Sequence, residues 1–252
     1  MDDALSADAL RGEQIFNITK QLRLACCAVA SRSCSYLGVY SADQVPTLEK
    51  LCSFRSTTKR KRSTSAGPSV ATVQPTCCYR AKSFIANTDP AAKPGYHWVA
   101  FVVFRDRPSV IYYFDSFGMP LSNYEDLYRT CLRHGYFSST MVVNSVNARA
   151  LQGGHSTVCG HYCVLYLYMC ARVSLGSLDS RTVSQQGGFA FAAMRVLVQA
   201  TGGNAAKNRD AAVVHILNEL RTRKESLTPA LACSRLGSVG AAGRSQCCQA
   251  RK

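Results

Sequence analysis

Residues 159–172 read Cys-Gly-His-Tyr-Cys-Val-Leu-Tyr-Leu-Tyr-Met-Cys-Ala-Arg. Wound as a helix, this run shows apolar side chains on nearly every face. A helix without a polar face has to be covered on all sides, so the chain must wrap its other elements around this one. The residue at its head is a cysteine. A helix N-terminus carries about half a positive charge and unpaired N–H groups. A thiol held there ionises more readily, and the thiolate is the reactive form. The same N–H groups can bind an oxyanion formed beside the sulfur. Seven residues upstream stands Gln152, in the run Gln152-Gly-Gly-His-Ser-Thr-Val-Cys159-Gly160. Cys163 and Cys170, seven apart, fall on the same helix and read as packing thiols.

A nucleophilic cysteine needs a base and a group to orient that base. Five histidines are available: His97, His134, His155, His161 and His215. Only His97 opens a clear strand, His97-Trp-Val-Ala-Phe-Val-Val-Phe104, rich in aromatic and β-branched residues. The polar break Arg105-Asp106-Arg107-Pro108 follows, then a second such run that ends at Asp115 before Ser116-Phe117-Gly118. The pair reads as an antiparallel hairpin. A loop centred on Asp106 sets His97 directly opposite Asp115, and opposed residues share a face with Cβ atoms about 4.5–5.5 Å apart. His155 and His161, close to Cys159, read as surface or substrate-side residues. Trp98, the only tryptophan, fits either a shield for the His97–Asp115 pair or a core ring.

These residue types suggest acyl transfer by cysteine. Cys159 is the nucleophile, His97 the base that later protonates the leaving amine, and Asp115 the group that fixes the imidazole tautomer. Gln152 offers its side-chain amide to the oxyanion beside the backbone N–H of Cys159.

The order His-Trp, an acid before Ser-Phe-Gly, Gln, then Cys-Gly resembles that of the adenovirus protease (adenain) family and related viral maturation proteases. Tyr36-Leu-Gly-Val-Tyr40, 85–88 with 95–101, Phe114-Asp-Ser-Phe-Gly118 and Leu151-Gln-Gly-Gly154 extend the similarity over roughly residues 20–225. The resemblance implies an α+β fold: a papain-like cysteine protease in the adenain and ubiquitin-like-protein protease arrangement, its mixed sheet packed against the central helix that carries the nucleophile. It implies an endopeptidase that cleaves viral capsid and core precursors at Gly-containing sites, in the virion and host nucleus. It also implies stimulation by DNA and by a viral peptide joined through a disulfide, with no metal or organic cofactor. Met141 stands where that disulfide would need a cysteine, and Cys131 is the nearest one. A protease for ubiquitin-like modifiers shares the His-Asp-Gln-Cys order, but those enzymes usually carry Asp before Cys-Gly, where Val158 stands here. A third reading is a basic DNA-binding virion protein with an inert protease-like core.

The chain has 252 residues, with 30 Lys and Arg against 15 Asp and Glu, a net charge of +15. That excess favours polyanions through counterion release, which points to non-specific contact with DNA. Lys59-Arg60-Lys61-Arg62 is the densest basic run and the candidate DNA contact. It lies in a Ser/Thr/Lys/Arg-rich insertion at about 53–76. No run of eighteen apolar residues predicts a membrane span, and the acidic start lacks a signal-peptide pattern. The thirteen cysteines, without that pattern, predict no disulfide framework and no zinc-type spacing. Helical periodicity is expected at 15–30, 124–133, 189–200 and 210–224, and a short strand at 141–144. The domain is read as 1–225, acting as a monomer, with a disordered tail at 226–252.

Overall fold

The computed structural model describes residues 9–22, 34–53, 81–173, 186–202 and 205–222. The basic run 59–62, nearly all of the 53–76 insertion and the 226–252 tail lie outside these residues. Among the described residues, five strands form one mixed sheet in chain order: β1 (Cys34–Tyr40), β2 (Ala81–Asn87), β3 (Trp98–Phe104), β4 (Arg107–Phe114) and β5 (Val142–Ser145). The inner pairs β2–β3 and β3–β4 are antiparallel, and the outer pairs β1–β2 and β4–β5 are parallel. The helices are α1 (Gly12–Gln21), α2 (Leu48–Cys52), α3 (Glu125–Arg133), α4 (Cys159–Val173), α5 (Gln186–Gly202) and α6 (Ala206–Thr222). This is the α+β arrangement expected, with the helix headed by Cys159 packed on a mixed sheet.

The central strands are apolar on both faces because both faces are covered. Ala100, Val102, Phe104, Tyr112 and Phe114 join a core with α4 and residues of α1, α5 and α6. Val99, Phe101, Val103, Ile111 and Tyr113 face a second core with Leu51 of α2 and Leu127 and Cys131 of α3. The lack of a polar face on α4 is met as its composition requires: Tyr162, Cys163, Val164, Leu165, Tyr166 and Cys170 are all fully buried. On α5 the covering stripe is Ala190, Met194 and Val198, each four residues from the last. On α6 it includes Val213, Val214 and Leu217, with Leu220 partly buried.

The hairpin register differs from expectation. Ala100 lies opposite Phe114 and Val103 opposite Ile111; an irregularity then sets Phe104 opposite Arg107 across the two-residue turn Arg105-Asp106. Continued outward, this register places Asp115 beside Val99 rather than His97. The offset is two residues. Because side chains alternate with period two, an even slip keeps His97 and Asp115 on one face, as diagonal neighbours.

Helix α1 ends at Gln21, and residues 23–30 of the expected helical stretch lie outside the described residues. The short helix α2 and the turn Leu121–Asn123 were not expected.

Candidate active site

His97 immediately precedes β3, Asp115 immediately follows β4, and Cys159 is the first residue of α4. All three are buried, at 2%, 0% and 6% exposure, at one end of the sheet. His97 Nε2 lies 2.7 Å from Asp115 Oδ1. A carboxylate only accepts, so Nε2 carries the hydrogen and Nδ1 is left for the other side of the ring. Nδ1 is buried without a hydrogen-bond partner. Cys159 nonetheless stands close enough to act on the ring electrostatically. Burial alone would lower the imidazole's pKa; the bond to Asp115 and the neighbouring Cys159 outweigh it and push it up to about 9.

Asp115 is gripped from several directions. The Phe117 N–H donates to Oδ1 at 2.8 Å, and the Tyr124 hydroxyl and Met119 N–H donate to Oδ2 at 2.7 and 3.2 Å. The rings of Phe117 and Tyr124 lie over His97 with centroids at 4.8 and 5.6 Å. These two rings, rather than Trp98, flank the imidazole. Trp98 packs against the α4-side core and its indole N–H donates to Leu10 O at 2.9 Å.

Gln152 is buried at 3%. Its Oε1 accepts the Ser116 hydroxyl at 2.6 Å and its Nε2 donates to Ser156 O at 2.6 Å. The amide cannot be turned around, because that would set carbonyl oxygen against carbonyl oxygen. Nε2 therefore keeps one further N–H. Ser116 holds the backbone of this segment too: its carbonyl accepts N–H groups from Leu151 at 2.8 Å and Gln152 at 3.2 Å. Beside it, Asn147 Nδ2 donates to Asp115 O at 2.6 Å. Gly118 adopts φ +69°, and a Cβ there would meet the Arg149 backbone at 2.6 Å. Only glycine lets the turn after Asp115 press against the chain that leads to Gln152.

A cleft of about 1210 Å³ opens over these groups, lined by His97, Gln152 and Cys159 together with Phe16 and Tyr96. Tyr96, next to His97, is 91% exposed. His155 is exposed and lines the cleft, as expected. His161 is not a surface residue: it is fully buried, because α4 has no solvent face to turn it towards. Cys131 is fully buried, which pushes its thiol up to about 12, and Met141 packs partly buried against the second core.

Among the described residues there is no group of three or more His, Cys, Asp or Glu placed to hold a metal ion. None of their helices is long and apolar enough to cross a membrane.

Of the four residues expected at the site, His97, Gln152 and Cys159 line one cleft, and Asp115 lies fully buried behind His97, bonded to its ring. The structure adds Ser116, Asn147, Phe117 and Tyr124. Ser116 and Phe117 sit inside the Asp-Ser-Phe-Gly run, yet the Ser116 hydroxyl bonds to Gln152 and the Phe117 ring covers His97, both 20 or more residues away in sequence, so local pattern could not assign these contacts.

Residues 75–197 match the adenovirus endoprotease family. That stretch contains all four residues. A protease of Bovine adenovirus C serotype 10 is 31% identical over 108 residues, which cover 40% of this chain. The chain spans about half (54%) of that relative's length. Among solved structures, the ASFV protease is 21% identical with TM-score 0.27, covering 45% of this chain and 43% of its own. A de-sumoylating protease is 11% identical with TM-score 0.41, covering 92% and 87%.

Proposed function

We propose that the chain is a viral cysteine endopeptidase of the adenain kind, in a papain-like arrangement, acting on virion precursor proteins. The observation that carries this reading is the buried His97–Asp115 pair at 2.7 Å with its second ring nitrogen unpartnered and Cys159 at the helix head beside it. The Cys159 thiolate attacks the scissile carbonyl carbon, and the carbonyl electrons move onto oxygen. Gln152 Nε2–H and the Cys159 N–H receive that oxyanion; one such donor is worth about 3–4 kcal/mol of barrier. His97 Nδ1–H gives its proton to the departing amine, which leaves a thioester on Cys159. Water then attacks the thioester, Nδ1 takes its proton, and the carboxylic product leaves as the thiolate returns. Asp115 keeps Nε2 protonated throughout and Nδ1 aimed at sulfur.

The resemblance supports cleavage at Gly-containing sites, in the virion and the host nucleus, by a monomer without metal or organic cofactor. The +15 charge supports non-specific DNA as a partner and activator. A viral peptide activator remains part of the reading, but not one tethered through Cys131, whose thiol is buried in α3.

The test is processing of a viral precursor protein by the purified chain, with DNA present and absent. Cleavage that is lost in both C159A and H97A is expected. Equal cleavage by C159A, or none by the intact chain under either condition, would contradict the assignment.

A further inference from the structure

Asp210 on α6 is a buried carboxylate, 9% exposed, with no role in the chemistry above. A buried carboxylate is costly unless its oxygens are satisfied, and here both are. Oδ2 accepts the Gly153 N–H at 3.1 Å and Oδ1 accepts the Tyr162 hydroxyl at 3.0 Å. Its neighbour Arg209 donates from Nε to Leu151 O at 3.0 Å. The residues on either side of Gln152 are therefore both tied to α6. Ser116 O holds the N–H groups of Leu151 and Gln152 from the opposite side. Tyr162 lies one turn along α4 from Cys159, so Asp210 joins the Gln152 segment to the helix that carries the sulfur.

We propose that Arg209 and Asp210 are positioning residues that set the Gln152 amide against the oxyanion formed at Cys159. This rests on the endopeptidase reading above. The two residues act through Gln152 and touch no substrate. They lie beyond residue 197, where the match to the adenovirus endoprotease family ends, so this chain supplies the clamp from a helix outside the matched stretch. An error of about 1 Å in the placement of such a donor costs on the order of 100-fold in rate. The effect should fall on the tetrahedral state and not on the thiolate, because these bonds run to Leu151, Gly153 and Tyr162.

Three readouts on the full chain separate this from a general loss of structure: kcat and KM on a peptide substrate, inhibition by a peptide aldehyde, and the rate of Cys159 alkylation by iodoacetamide. The aldehyde adduct carries the oxyanion; alkylation does not. For D210A we expect kcat to fall about 10–100-fold and aldehyde affinity to weaken in step, while KM and the alkylation rate change less than about threefold. D210N should recover most of the loss, since its amide can accept from Gly153 and donate to Tyr162. R209M, which keeps the carboxylate, should show the same split if D210A does not fold. Unchanged kcat and aldehyde affinity in D210A or R209M would overturn the clamp, as would an equal fall in alkylation. An intact chain that neither cleaves nor alkylates selectively at Cys159 would instead bring down the endopeptidase reading beneath it.

Discussion

At the residue scale, the state of His97 sets the behaviour of the site. Its pKa rises from the ordinary 6.5 to about 9 in the fold, so the folded chain holds this proton more tightly than the unfolded chain does. The stability it confers is fully present below about pH 6.5 and is lost as pH rises through about 9, an effect of up to about 3 kcal/mol. Melting temperature should therefore fall between pH 6.5 and 9 in the intact protein and change less in H97Q. Tyr124 provides a second test. Its hydroxyl bonds to Asp115 Oδ2, and loss of a hydrogen bond to a charged group costs about 1.5–3 kcal/mol. Y124F should lower kcat about tenfold with KM nearly unchanged; wild-type kcat would show that Asp115 is held well enough without it. D115N should be more severe, since an amide can present N–H to the ring and favour the wrong tautomer.

At the element scale, the site depends on where three elements begin or end. Strand β3 begins after His97, β4 stops before Asp115, and α4 begins at Cys159. The strands and α4 were legible because composition and period alone mark them: β-branched and aromatic runs for β3 and β4, an apolar run without a polar face for α4. The shared face of His97 and Asp115 was legible as well, although the pairing was two residues out. Side-chain period preserves a face under an even slip, whereas turn geometry sets the register itself, and the irregularity after Val103 leaves no mark in composition. The tie between the Asp115 turn and the Gln152 segment could not be read at all, since it joins backbone and side-chain groups far apart in sequence. Gly118 is where that tie can be broken. G118A forces a Cβ against the Arg149 backbone at a positive φ; we expect it to cost about 1–3 kcal/mol and to reduce kcat more than it slows Cys159 alkylation. Thermal melts read against both rates will check this.

At the scale of the whole molecule, the described residues form two cores that hold the sheet between α4 on one side and α2 and α3 on the other. The reacting groups therefore sit at the end of a stiff layer, not on a free loop. Burial of His161 follows from the same packing, and helical spacing around Cys159 alone did not reveal it. The basic charge acts on a longer scale. If DNA is bound through that charge, the logarithm of the binding constant should fall linearly with the logarithm of salt concentration; a constant insensitive to salt would exclude a polyelectrolyte mode. The trio itself is tested most directly by timed iodoacetamide labelling at pH 6.5, with each cysteine followed by mass spectrometry. Cys159 should label far faster than Cys131, Cys163 or Cys170, and at least about tenfold faster in the intact protein than in H97A. Equal Cys159 rates in the two proteins would mean that His97 does not activate the sulfur, and would contradict the account.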